Sequence, residues 1–244
     1  MAQRLWTRDE EIIVFNLYCK IPFNRSSKNH PEVIRIAELI GRTPSAVNMK
    51  IGNFGSFDET LKARGIVGLT NASKLDAQVW TEFNNRWDEL AFESERLIAA
   101  LQGKRDELPV AGEKSVAVRR KVNQDFFRQA VLASYQNACC VTGLNISGLL
   151  VAGRIKSVGD ENERTNPGNG LCLNALHGRA FDLGFVTVTP DYKIHVATTI
   201  SDVYDNAAVE NFFRAYNGQE ITRPEKFAPL KSFLEYHNDA VFRW

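Results

Sequence analysis

The stretch that most constrains the fold runs from Leu149 to Gly184 and reads LLVAGRIKSVGDENERTNPGNGLCLNALHGRAFDLG. Its apolar start indicates a strand, and the polar residues that follow indicate a loop. Asn169 and Gly170 then lead into a short predicted helix that carries His177. A strand and a helix joined in this way predict an α+β unit in which polar groups of both elements face one another.

The composition is that of an ordinary globular protein with no global attraction to nucleic acid. The 244 residues are 44% apolar and 24% charged, and the formal net charge is +1. Any contact with nucleic acid must therefore come from local patches. No apolar run approaches the length of a bilayer span, so we expect no membrane. The N-terminus has no signal-peptide core and the four cysteines suggest no disulfide framework, so we expect a reducing cytoplasm.

Three helices are predicted in the first part of the chain. Thr7 is the expected N-cap of the first helix. Pro31 lies near the start of the second helix and Gly41 at its end, while Thr43 caps the third. These signals predict a helical N-terminal domain.

Two interpretations of the second and third helices stay open. Their tight connection at Gly41 and Arg42 resembles a helix-turn-helix, in which the third helix would read DNA. The alternative is a small helical bundle whose third helix has a solvated polar face. The recognition residues in the first interpretation are Ser45, Asn48, Lys50 and Asn53.

A domain boundary is predicted near the middle of the chain. Residues 75–101 are expected to form one long amphipathic helical stretch, and its aromatic residues are expected in the core. The polar segment after it is broken by Pro109 and Gly112, which is typical of a linker. The predicted domains are thus 1–105, helical and used for DNA recognition or dimerisation, and 123–244, with a linker over 106–122.

The predicted linker ends in a basic cluster of Arg119, Arg120 and Lys121. These side chains could contact a phosphate backbone, and each neutralised phosphate would add salt-sensitive affinity. The alternative is a solvated connector without a partner.

Further elements are predicted in the second domain. The segment DFFRQAVLASYQ has the pattern of an amphipathic helix, and FVTVTPDYKIHVA has that of a hairpin around Pro190. Helical segments near AAVENFFRAYN and PLKSFLEYHNDAVF follow.

Three joined motifs resemble the HNH endonucleases, whose fold is called ββα-metal. They are CCVTGL, then LLVAGRIKSV, then NPGNGLCLNALHGRAFDLGFVTV. The restriction-type variety has the pattern CxxTG, then LLVASHI, then NGLxLxxxHDxxFDxG. The resemblance covers about residues 138–197, and its motifs occur in order at matching spacing. The opening WTRDEEIIVFNLYCKIPF and the later GRTPSAVNMKIGNF are less sharply similar to the leader found ahead of such modules in bacteria.

The resemblance implies roles for the matching positions. Asn169 would position the loop or help to bind a divalent ion, Mg²⁺ or Mn²⁺. His177 would be a metal ligand, and Asp182 would support the helix or the metal shell. Lys156 is a further candidate for a DNA contact.

Arg154 stands where the family has its general base, a histidine. A general base must lose and regain a proton near neutral pH, as histidine does with a pKa around 6.5. The guanidinium keeps its proton, with a pKa above roughly 12, so it cannot take a proton from water. Loss of a general base commonly costs about 10²–10⁴-fold in rate. Arg154 could still bind the scissile phosphate with a bidentate fork, so we expect DNA binding with poor cutting.

A structural zinc site is a competing interpretation of the cysteines. Cys139, Cys140 and Cys172 could join His177 around zinc, but paired CxxC knuckles are absent. We therefore expect buried free thiols rather than zinc.

The sequence thus predicts a divalent-metal-dependent HNH endonuclease, of restriction or phage-defence type, that is impaired at Arg154. Cutting both strands of DNA would need two sites, so a homodimer is expected. The first alternative is a catalytically silent DNA-binding protein on the same fold. The second is an interaction module in which the ββα motif is purely structural.

Overall fold

The computed structural model describes residues 4–66, 72–104, 113–201 and 206–244 and has the predicted mixed α+β character. The helices are α1 (Arg8–Lys20), α2 (Pro31–Ile40), α3 (Pro44–Gly55), α4 (Glu59–Ala63), α5 (Lys74–Phe83), α6 (Trp87–Leu101), α7 (Glu113–Ser134), α8 (Glu161–Thr165), α9 (Ala175–Asp182), α10 (Thr198–Ser201), α11 (Ala207–Phe212) and α12 (Lys231–Ala240). The strands are β1 (Leu150–Arg154), β2 (Gly170–Asn174), β3 (Val186–Val188) and β4 (Ile194–Val196). They form two antiparallel pairs, β1–β2 and β3–β4. Within the described ranges, every helix is too short or too polar to cross a membrane.

Local sequence signals place the first three helices correctly. The Thr7 hydroxyl accepts a hydrogen bond from the Glu10 amide, and the Glu10 carboxylate accepts one from Thr7, which completes a capping box. Proline occupies the first turn of α2 and of α3. Gly41 ends α2 with φ +65°, a conformation that glycine adopts without steric cost. The tight α2–α3 connection is therefore confirmed.

The assignment of α3 as a recognition helix is wrong for two of its polar residues. Lys50 is buried, and its ammonium forms ion pairs with Glu11 and Asp76. Asn53 is also buried and donates from Nδ2 to the Asp76 carboxylate at 2.8 Å. These side chains hold α1, α3 and α5 together. They are not available to read DNA.

The predicted helix over 75–101 is two helices. The chain turns at Asn84–Arg86, where Asn85 adopts φ +75°, and α6 begins at Trp87. The prediction of an aromatic core is confirmed: Phe83 and Trp87 are buried and the Trp80 ring lies 4.9 Å from that of Phe15. An asparagine that tolerates the left-handed conformation interrupts an otherwise helical pattern.

The predicted linker over 106–122 is wrong from residue 113 onward, because α7 is one continuous helix over Glu113–Ser134. Residues 105–112, with the predicted breaks at Pro109 and Gly112, lie outside the described ranges. Two hydrophobic cores meet along α7. Phe126 and Ala130 belong to the core of the N-terminal helices, and Phe127 and Val131 belong to the core around the strands. A helix shared between two cores replaces the expected flexible connector.

The predicted hairpin forms as β3–β4, with Val186 opposite Val196 and Val188 opposite Ile194. The C-terminal helix α12 packs against it through His237. The ring of His237 stacks on that of Phe181 with centroids 3.7 Å apart. Its Nδ1 lies 2.8 Å from the Thr187 hydroxyl and its Nε2 lies 3.2 Å from the Phe181 carbonyl oxygen.

We expect His237 to make the fold acid-sensitive. Burial lowers the pKa of His237 to about 4, although the Phe181 carbonyl raises it. Between pH 6.5 and 4 the unfolded chain therefore binds a proton on this histidine that the folded chain does not, and the free energy of unfolding falls. By pH 4.5 the loss from this group is about 2–3 kcal/mol. Urea unfolding of the native protein and of His237→Gln at pH 7 and pH 4.5 measures it.

Glutamine is the matched replacement, because it is polar and of similar size but does not titrate. On acidification from pH 7 to pH 4.5, His237→Gln should lose about 2–3 kcal/mol less stability than the native protein. An equal loss in both proteins would exclude His237 as the cause.

Candidate functional site

The strands β1 and β2 and the helix α9 form a ββα unit. Leu150 pairs with Asn174 and Arg154 with Gly170, so the strands are in register over their whole length. The residue pattern predicted a loop that leads directly into a helix and missed β2, whereas the family resemblance implied two strands. Asn174 ends β2 and caps α9, because its Oδ1 accepts a hydrogen bond from the His177 amide at 2.9 Å.

Asn169 anchors the loop between the two strands. It is fully buried, and its Oδ1 accepts from the Lys156 amide at 2.8 Å. Its Nδ2 donates to the carbonyl oxygens of Lys156 and Glu163 at 2.9 and 3.0 Å. Three of the four hydrogen bonds that this amide can make are thus directed at the loop backbone. These contacts agree with the loop-positioning role that the resemblance implied.

His177 lies in the first turn of α9 and is buried, with both ring nitrogens engaged. The Asn174 Nδ2 group lies 2.9 Å from Nδ1, and the Phe212 carbonyl oxygen lies 2.6 Å from Nε2. Since the Asn174 amide nitrogen can only donate, Nδ1 accepts and Nε2–H donates to Phe212. The rings of Phe213 and Tyr216 contact the imidazole edge-on. The segment after α11 therefore covers the side chain that was predicted to bind a metal.

A buried thiol lies beside this histidine. Burial raises the pKa of the Cys139 thiol, and hydrogen bonds with the Thr142 side chain and with the Thr142 and Val141 backbone act to lower it. All four cysteines are buried, and none forms a disulfide. Sequence reasoning weighed Cys139 as a zinc ligand and as a buried thiol, and gave Asn174 no role, although an Asn three residues before His177 is a capping signal.

The Arg154 side chain points away from α9. Successive side chains of a strand alternate between its faces. A Cβ on Gly178 of α9 would meet the Val151 side chain, whereas a Cβ on Gly170, opposite Arg154, would meet Val131 of α7. Arg154 shares the α7 face.

Contacts on that face fix the guanidinium. It lies 4.4 Å from the centre of the Phe127 ring, and its Nε donates to the Arg164 carbonyl oxygen at 3.0 Å. The expectation that Arg154 and His177 face one phosphate is therefore wrong for this conformation.

The residues that were predicted to hold Mg²⁺ or Mn²⁺ do not fit the ion as they are arranged. The polar atoms of Asn169 bind the loop, and those of His177 bind Asn174 and Phe212. Asp182 is exposed at the last residue of α9. In the described parts of the chain, no three His, Cys, Asp or Glu side chains are grouped to hold a metal.

Gly178 gives a structural reason for the missing carboxylate. This position holds an aspartate in the family pattern, but a Cβ there would collide with the Val151 side chain. Glycine permits the close approach of α9 to β1, and an aspartate here would have to displace the Val151 side chain.

The predicted DNA contacts divide into two groups. Arg120 and Lys121 are exposed on α7. The others have protein partners. Arg119 pairs with Asp88 at 2.8 Å, Lys156 pairs with Glu163 at 2.9 Å, and Asn48 accepts from the Ser26 hydroxyl at 2.6 Å, while Lys50 is buried as described above.

No protein-family model matches the chain, and a search of curated proteins gives no relative. The functional interpretation therefore depends on the motifs and on the geometry described here.

Proposed function

We propose that this protein binds double-stranded DNA on an HNH-type ββα scaffold without cutting it. The observation that carries the proposal is the β1–β2–α9 unit, in which Asn169 anchors the loop and His177 begins the helix. Two of the three motifs that resemble restriction-type HNH endonucleases coincide with this unit, and CCVTGL lies just before it. A role in restriction or phage defence, and the homodimer that cutting both strands would need, belong to the endonuclease alternative and not to this proposal.

Between an impaired endonuclease and a silent DNA-binding protein, the geometry favours the silent form. The base position holds an arginine that stacks on Phe127, and both nitrogens of His177 have protein partners. Activation of water by this arrangement would need Arg154 replaced and the Phe212 carbonyl displaced. Neither change is a small adjustment of one side chain.

DNA binding is expected to depend on Arg120 and Lys121. Both are exposed in the first half of α7, and each phosphate contact contributes about 0.9 to the slope of log K against log salt. The double variant Arg120→Gln with Lys121→Gln should weaken binding of a fluorescein-labelled duplex and reduce that slope by about 2. Fluorescence anisotropy at several salt concentrations measures both quantities.

The matched control is Lys28→Gln with Arg64→Gln, which removes the same charge from exposed positions outside α7. It should leave the slope nearly unchanged. Absence of duplex binding by the native protein at low salt would contradict the proposed function. Equal effects of the two double variants would show that this part of α7 is not the contact surface.

A further inference from the structure

A cavity of about 220 Å³ lies where α1, α2, α6 and α7 meet, apart from the ββα unit. Five of its eleven lining residues have branched apolar side chains, which suit the faces of a flat or apolar ligand. They are Ile13, Leu17, Ile21, Ile36 and Ile98. The volume suits a ligand of one small ring system.

Asn16 of α1 lines this cavity and is 3% exposed. Its side-chain Oδ1 has no hydrogen-bond partner among the described residues. A buried amide oxygen without a partner destabilises a protein, so such groups are rare and call for an explanation. A bound ligand that donates a hydrogen bond to the Asn16 Oδ1 would explain this unpaired oxygen.

The rim of the cavity carries charges that already neutralise each other. Lys20 pairs with Glu95 at 2.8 Å, and Arg35 pairs with Glu32 at 2.9 Å. A charged ligand would find no unpaired counter-ion on these four side chains. The lining therefore favours a neutral molecule.

We propose that this cavity binds an uncharged, flat heterocycle with an adjacent hydrogen-bond donor and acceptor, of the class of purine bases. The Asn16 amide has one donating and one accepting group side by side, and an asparagine amide pairs in this way with the N6 and N7 atoms of adenine. The aliphatic walls would cover the faces of the ring. This site is independent of the proposed DNA-binding function.

Isothermal titration calorimetry of the full chain with adenine, adenosine and AMP tests the proposal. We expect adenine to bind with a Kd below about 1 mM, and AMP to bind more weakly because its phosphate meets no unpaired cation on the rim. Asn16→Leu should weaken adenine binding by about 5-fold or more, since a good bidentate pair discriminates by at least that factor. The same variant should have a higher Tm, because it removes an unpaired buried oxygen.

Failure of adenine and adenosine to bind at millimolar concentration would overturn the proposal. Unchanged adenine affinity in Asn16→Leu would overturn it too, and tighter binding of AMP than of adenine would overturn the requirement for a neutral ligand. If the leucine variant does not fold, Asn16→Ala provides the same comparison.

Discussion

Replacement of Lys50 by alanine is expected to lower the free energy of unfolding by about 3–5 kcal/mol, because it leaves two buried carboxyl groups without their cation. Lys50 Nζ lies 2.7 Å from the Glu11 carboxylate and also pairs with Asp76. Burial raises the pKa of Asp76, but hydrogen bonds from Lys50, Ser73 and Asn53 outweigh it and hold that pKa below its ordinary value. Asp76 therefore stays charged at neutral pH.

The pKa of the second carboxyl group, that of Glu11, is shifted in the opposite direction. Burial raises the pKa of Glu11 to about 7, against the lowering effect of Lys50. Lys50→Ala would leave Asp76 in the core without its cation, and Glu11 beside it, having lost the lowering effect of Lys50, would take up a proton; both side chains are at 0% exposure. Urea unfolding at pH 7 gives the change in free energy.

Lys62→Ala is the control, because its ion pair with Glu59 is exposed and should contribute less than about 1 kcal/mol. If Lys50→Ala kept native stability and weakened DNA binding instead, Lys50 would be the surface contact that the sequence predicted.

Replacement of Lys226 by methionine is expected to cost about 3 kcal/mol or more, because three buried carbonyl groups lose their donor. This lysine is fully buried, and its ammonium donates to the carbonyl oxygens of Tyr18, Cys19 and Ile21 at the end of α1. The last carbonyl groups of a helix have no partner within the helix, and a cation is favoured there. Burial lowers the pKa of Lys226 to about 8, so the ammonium form still predominates at neutral pH.

Methionine has a volume close to that of lysine but no hydrogen-bond donor. Each of the three carbonyl oxygens would then stay buried without a partner, which is destabilising. Thermal unfolding with a fitted enthalpy measures the effect. Arg223→Ala, which breaks an exposed ion pair with Glu220 nearby in sequence, should change stability by less than about 1 kcal/mol. A Lys226→Met variant as stable as this control would contradict the assigned role.

Elements with local signals were predictable. Thr7 and Thr43 cap helices, Gly41 ends one, and the β-rich runs around Pro190 form the hairpin. These features depend on neighbours within a few residues. The burial of Lys50 was not predictable in this way, because its partners are 39 and 26 residues away along the chain.

The residues of the candidate site differ in the same way: the partners of Asn169 are close in sequence, and those of Arg154 and His177 are distant. The resemblance implied that Asn169 positions the loop, and its contacts with Lys156 and Glu163 lie within the stretch from Leu149 to Gly184. The direction of Arg154 depends on Phe127 of α7, and the cover of His177 depends on Phe212. Both partners lie outside the motifs that mark the ββα unit. A motif therefore predicted the backbone of the site but not which side chains meet there.

A plasmid nicking assay with Mg²⁺ or Mn²⁺, run beside a gel shift on the same DNA, tests the central claim most directly. It compares the native protein with Arg154→His and with Arg154→His plus His177→Ala. We expect all three to shift DNA and none to nick it, because a histidine at position 154 would lie against Phe127 and His177 stays covered by Phe212. Nicking by the native protein or by Arg154→His that is lost in the double variant would contradict this account and establish an endonuclease centred on His177.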